Sequence, residues 1–164
     1  MKKIASFSVN HDKLKKGMYV SRIDGDVVTY DLRMKVPNAG DYLSNGALHT
    51  FEHLFATYAR NSALSDSVIY VGPMGCRTGF YLLTRGLTPA EALSLTVESF
   101  RFMALHLVQE SFAFIRDFEG EIPGSRREEC GNYKEHDLKG AKETAVDMLE
   151  VLKDWTPEKM EYEA

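Results

Sequence analysis

An α+β fold, with a mostly antiparallel sheet packed against helices, follows from three features of the chain's patterning. From Val28 to Val36 the residues alternate strictly: Val28, Tyr30, Leu32, Met34 and Val36 share one face, and Thr29, Asp31, Arg33 and Lys35 share the other. That period of two marks a half-buried strand. Leu48, Phe51, Phe55 and Tyr58 recur instead at helical spacing. The elements also follow one another in the order βββ-α-ββ-α-loop-α, which suits α+β better than an alternating parallel fold.

Each element has a local cause. Gly17 to Ile23 reads as a strand leading into the turn Asp24-Gly25-Asp26, and Pro37-Asn38-Ala39-Gly40 closes the alternating strand after it. A helix is predicted from about Ala47 to Ser62. Val68 to Val71 and Phe80 to Thr84 read as short strands on either side of Gly72-Pro73-Met74-Gly75-Cys76. Thr88-Pro89-Ala90-Glu91 combines an N-cap, a first-turn proline and a capping box. The helix it opens is predicted to run to about Gln109, packing Leu93, Val97, Phe100 and Leu107. Glu119 to Glu129 is charged, contains Pro123-Gly124 and reads as a surface loop. A last helix follows Asp137, with Ala141, Ala145, Met148, Leu152 and Trp155 on one stripe.

The chain has 164 residues, 44% of them hydrophobic, enough for one cored domain spanning 1–164 and far from a disordered composition. Its net charge of -4 disfavours nucleic acid and anionic membranes as partners. No apolar run is long enough to span a bilayer. Ser6 and Ser8 interrupt the apolar stretch after Met1-Lys2-Lys3, so no signal-peptide core forms and a cytoplasmic protein is expected. Cys76 and Cys130 stand 54 residues apart without CxxC spacing. In a reducing compartment they are free thiols; buried core thiols or one disulfide are the alternatives.

Chemistry concentrates in His49-Thr50-Phe51-Glu52-His53, an HxxEH pattern within the predicted helix. Residues four apart stack on one helical face, so both imidazoles can reach one metal ion, with the Glu52 carboxylate beside them for proton transfer. A third protein ligand is needed, leaving one position open for water or substrate. Cys130 is favoured, because Gly131 lets its loop approach closely; His136 and Cys76 stay open as alternatives. Arg60, eleven residues beyond His49, shares the metal face about 16 Å further along and could take the anionic end of a substrate. A solvated surface arginine is the plainer reading.

Taken together, these residues resemble the S-ribosylhomocysteine lyase family, also called LuxS or autoinducer-2 synthase. The resemblance covers nearly the whole chain. It rests on Ser6-Phe7-Ser8-Val9-Asn10-His11, Tyr30-Asp31-Leu32-Arg33, Pro37-Asn38, His49 to Leu54, Pro73-Met74-Gly75-Cys76-Arg77-Thr78-Gly79-Phe80-Tyr81, and Cys130-Gly131 followed by His136-Asp137-Leu138. Just before Pro73, where relatives often carry an acidic residue and a serine, this chain has Tyr70, Val71 and Gly72.

The resemblance implies His49, His53 and Cys130 as metal ligands, Glu52 and Cys76 as the acid/base pair, and Ser6, His11 and Arg33 around the sugar. It implies one divalent metal per chain, most actively Fe2+, with Zn2+ or Co2+ as substitutes. It also implies a homodimer with active sites at the subunit interface, to which the aromatic Phe7, Phe112, Phe114 and Phe118 would contribute apolar surface. The implied reaction splits the thioether of S-ribosylhomocysteine into homocysteine and 4,5-dihydroxy-2,3-pentanedione, by carbonyl migration through enediolates and β-elimination. Two other readings compete. An inverted HxxEH metallopeptidase would use Glu52 to activate water and has no need of Cys76, and a non-catalytic metal-stabilised module would close its site with four protein ligands.

Overall fold

The computed structural model describes residues 9–105 and 122–163. Its strands are β1 (Gly17–Asp24), β2 (Val27–Arg33), β3 (Val68–Pro73) and β4 (Gly79–Arg85), and its helices α1 (Asn45–Asn61), α2 (Pro89–Leu105) and α3 (Leu138–Leu152). The four strands form one sheet in the order β1-β2-β4-β3, every neighbouring pair antiparallel. The α+β expectation holds. Two strands precede α1 among the described residues, where the sequence order suggested three.

One face of the sheet meets the helices. Tyr30 stands opposite Leu82, and Leu32 opposite Phe80; all four are fully buried. Phe51 of α1 packs on Phe80, with ring centroids 4.9 Å apart, and on Phe100 of α2 at 5.2 Å. Aromatic contacts of this kind add to the stabilisation from burial itself. α1 therefore sits rigidly between sheet and helices, with its histidine-bearing side turned out of the core.

Local chemistry sets the boundaries. Ser44 accepts from the Ala47 amide at 3.1 Å, starting α1 two residues earlier than the apolar spacing suggests. Thr88 and Glu91 form the reciprocal capping box predicted for α2, and Asp137 caps α3 by accepting from the Gly140 amide. α3 ends at Leu152, so Trp155 lies beyond it and donates its indole N–H to the Met18 carbonyl at 2.9 Å. β2 stops at Arg33 because the amides of Met34 and Lys35 both turn to the Thr78 carbonyl. Gly140 allows α1 and α3 to cross closely: a Cβ there would stand 2.9 Å from that of Ala47. This crossing brings His136 and Asp137 onto α1.

The other face of β2 departs from expectation. Asp31 and Arg33 are 2% and 3% exposed, not solvated. The chain after α3 runs along β1, with the Val20 amide donating to the Met160 carbonyl, and lays Tyr162 over the pair. Among the described residues no helix is long and apolar enough to cross a membrane.

Candidate metal centre

His49 and His53 lie one turn apart on α1, and backbone carbonyls orient both rings. His49 Nδ1 is 2.8 Å from the Glu135 carbonyl and His53 Nδ1 is 2.7 Å from that of Pro123. A carbonyl can only accept, so each Nδ1 carries a proton and Nε2 is the ring atom available to a metal. Those two Nε2 atoms face each other across 3.1 Å. The thiol of Cys130 completes the triangle, its Sγ 3.4 Å from His49 Nε2 and 4.0 Å from His53 Nε2. An ion bound tetrahedrally at ordinary metal–nitrogen and metal–sulfur lengths would hold such donors about 3.3–3.6 Å apart. The donor set and its spacing fit one divalent metal.

Gly124 lets the Pro123 carbonyl reach His53. It has φ +68°, and a Cβ there would stand 3.3 Å from His53 Nδ1.

His136, the open alternative to Cys130, also joins this cluster. Ligand atoms of His49, His53, Cys130 and His136 all lie within 4.8 Å of one another. The His136 ring stacks on His49, centroids 4.2 Å apart, and its Nδ1 meets the Thr50 hydroxyl at 3.1 Å. That hydroxyl accepts from the Asp137 amide, and His136 Nε2 is buried without a partner among the described residues. Burial, then the charges of His49 and His53, lower the His136 pKa to about 4 and keep the ring neutral. Cys76, the other alternative, takes no part in the cluster.

Glu52 sits beside the metal donors, one carboxylate oxygen 3.9 Å from His53 Nε2. It faces an open cleft of about 340 Å³ shared with His49, Leu48, Pro73, Asn132 and Glu135.

A second cluster forms around Cys76 at the β3–β4 turn. The Cys76 Sγ is 2.9 Å from Thr78 Oγ1 and 3.9 Å from Arg33 Nη1. Arg33 also donates to Thr78 Oγ1 at 2.5 Å and to Asp31 Oδ2 at 2.6 Å. Burial raises the Cys76 thiol pKa, but hydrogen bonds from Thr78 and the Arg33 charge outweigh it and leave the pKa below its ordinary value. Arg77, next to Cys76 in the chain, turns away to the Leu43 carbonyl and the Tyr42 ring. Both cysteines are free.

The remaining sequence candidates are spread out. His11 bonds the Val9 carbonyl through Nδ1 and lines a small cleft with Arg33, Asp31, Ser21, Tyr81 and Tyr162. This cleft shares no lining residue with the one at Glu52. No hydrogen bond or ion pair among the described residues joins the metal donors to the Cys76 cluster. Arg60, in the last turn of α1, donates to the Ile69 carbonyl at 3.0 Å. Ser6 and the four aromatics Phe7, Phe112, Phe114 and Phe118 lie outside the described residues.

Sequence reasoning missed Thr50 and the roles of the Glu135 and Pro123 carbonyls. Only the threonine left a signal, as a polar residue on the histidine-bearing helix.

The comparisons agree with the site. The family model for S-ribosylhomocysteinase (LuxS) matches residues 4–159. A Phocaeicola vulgatus protein described as S-ribosylhomocysteine lyase is 47% identical over 168 aligned positions, covering 99% of this chain and 98% of its own. Proteins of the same description from Porphyromonas gingivalis W83 and Borreliella afzelii are 48% and 41% identical, each alignment covering 99% of both chains. Matched by the family model over residues 4–159 and by relatives along nearly their whole length, this chain belongs to the S-ribosylhomocysteinase (LuxS) family.

Proposed function

We propose that this protein is an S-ribosylhomocysteine lyase, releasing homocysteine and 4,5-dihydroxy-2,3-pentanedione. The observation that carries the reading is the pair of Nε2 atoms facing each other beside the Cys130 thiol, with Glu52 alongside. In a chain of this family, that arrangement is a metal site beside a proton-transfer group. His49, His53 and Cys130 are the proposed ligands, and Fe2+ the proposed ion, with Zn2+ or Co2+ able to replace it. When bound, the ion supplies Lewis acidity that makes the carbon–hydrogen bond next to the substrate carbonyl acidic.

Glu52 and Cys76 do the rest. Moving a carbonyl from C1 to C3 takes paired proton removals and returns on neighbouring carbons, which the Glu52 carboxylate and the Cys76 thiolate can exchange. With the carbonyl at C3, loss of the C4 proton expels the C5 sulfur with its electron pair, and the sulfur leaves as a thiol once protonated. No atom is added or lost overall, and the two products together contain every atom of the substrate. Arg33, beside Cys76, favours the thiolate.

Ser6, His11 and Arg33 are proposed to hold the sugar, and Arg60 the anionic end. The active unit is proposed to be a homodimer of single-domain chains in the cytoplasm. The two clefts that share no residue support a site completed across the interface. Nothing in the comparisons supports the metallopeptidase reading. Anaerobically purified protein, analysed for metal and titrated for new thiol after adding S-ribosylhomocysteine, tests the proposal. One metal per chain and stoichiometric thiol are expected; peptide cleavage without thiol release would replace it with the peptidase.

A further inference from the structure

The last described residues lie beyond the family match, which ends at residue 159, yet they reach the Cys76 cluster. The buried Met160 side chain anchors this tail, with its carbonyl bonded to the Val20 amide at 2.8 Å. Tyr162 then stacks on Tyr19, ring centroids 5.1 Å apart at 19°, and Tyr19 meets Trp155 edge-on. The Tyr162 hydroxyl donates to Asp31 Oδ2 at 2.9 Å, the same oxygen that takes the Arg33 guanidinium.

The Asp31–Arg33 pair depends on few contacts. Among the described residues Asp31 Oδ1 and Arg33 Nε are buried without partners, and Oδ2 carries the hydrogen bonding of the carboxylate. Tyr162 supplies one of its two bonds, and its ring closes the sheet face over the pair. A buried ion pair with so few partners holds its geometry only while each remains and water is excluded. The opposite edge of the same guanidinium faces Thr78 and Cys76.

We propose that Tyr162 is a positioning residue that holds Arg33, through Asp31, against the Cys76 thiol. Its catalytic consequence rests on the acid/base role given to Cys76 above; the positioning itself does not. With the ring and hydroxyl removed, water enters, Asp31 loses a donor, and Arg33 is no longer fixed toward the sulfur. The thiolate is then less favoured.

The test is the pH dependence of Cys76 alkylation by iodoacetamide in the metal-loaded, full-length protein, with a Cys76→Ala chain as the blank for Cys130. Tyr162→Ala should move the profile to higher pH and slow alkylation at neutral pH roughly 3- to 10-fold, equivalent to half to one pKa unit. Tyr162→Phe, which keeps the ring, should fall between Tyr162→Ala and the unaltered chain, and Glu161→Ala should change nothing. Should Tyr162→Ala fail to fold, Tyr162→Phe alone decides. An unchanged profile in the variant that folds overturns the proposal, whatever the lyase assay shows. A shifted profile supports it even if the unaltered protein releases no thiol from S-ribosylhomocysteine, a result that would overturn the function alone. If both hold, Tyr162→Phe also lowers kcat/KM for S-ribosylhomocysteine, because Arg33 serves both the thiolate and the sugar.

Discussion

Replacing Gly124 by alanine should loosen the metal without touching a ligand. Gly124 has φ +68°, a left-handed backbone that costs an alanine about 1–2 kcal/mol. The new Cβ would stand 3.3 Å from His53 Nδ1, so the ring must shift by a few tenths of an ångström. That shift disturbs the 2.7 Å bond from His53 Nδ1–H to the Pro123 carbonyl, which fixes the ring's tautomer and aim. The strain lowers affinity to the extent that metal binding requires this ring orientation. At about 1.4 kcal/mol per factor of ten, affinity should fall roughly 5- to 30-fold, in keeping with the effect of losing a partner behind a metal ligand. Competition against a chromophoric chelator measures this directly. Gly25→Ala is the control: its φ of +62° carries the same backbone strain, but nothing lies within 4 Å of the added methyl. It should lower fold stability and leave metal affinity alone. If Gly124→Ala binds metal as tightly as the unaltered chain, the ligand-orienting role of this turn is refuted.

Other outcomes follow from the same geometry. His49→Ala, His53→Ala and Cys130→Ala should each strip the metal, whereas Glu52→Gln and Cys76→Ala should keep it and lose about 10²–10⁴ in thiol release; stoichiometric metal in Cys130→Ala would hand the third position to His136. Thr78→Val removes a hydrogen bond that holds the Cys76 thiol pKa down, so the midpoint of its alkylation profile should rise, and a midpoint that stays or falls would remove Thr78 from that role. An equal mixture of Glu52→Gln and His11→Ala chains, each inactive alone, should recover about a quarter of normal activity if the dimer's sites are composite, since half the dimers are mixed and each holds one intact site. No recovery would place both residues in one chain's site.

The pairing of the HxxEH histidines was legible because helix geometry is local: residues four apart stack wherever the helix sits. Cys130 was legible through Gly131, but the choice between Cys130 and His136 was not, because both arrive from the segment before α3 and both reach the cluster. The carbonyls of Pro123 and Glu135 left no trace, since every residue has a carbonyl and only the tertiary fold decides which one meets an imidazole. The alternation of β2 gave its faces correctly but not their environments. Asp31 and Arg33 looked like a solvated face because the residue that covers them, Tyr162, lies 131 positions away. Arg60 fell on the expected helix face, while its bond to the Ile69 carbonyl depended on where β3 packs.

The proposed chemistry depends on an ion held by the facing histidines and Cys130. It is tested most directly by stripping the protein of metal and returning Fe2+, Co2+ or Zn2+ anaerobically in small steps, with homocysteine thiol release followed at each step. The account predicts no release from the stripped protein and a linear rise that breaks at one equivalent per chain. Undiminished release without metal, or no release at full occupancy of a folded protein, would contradict it.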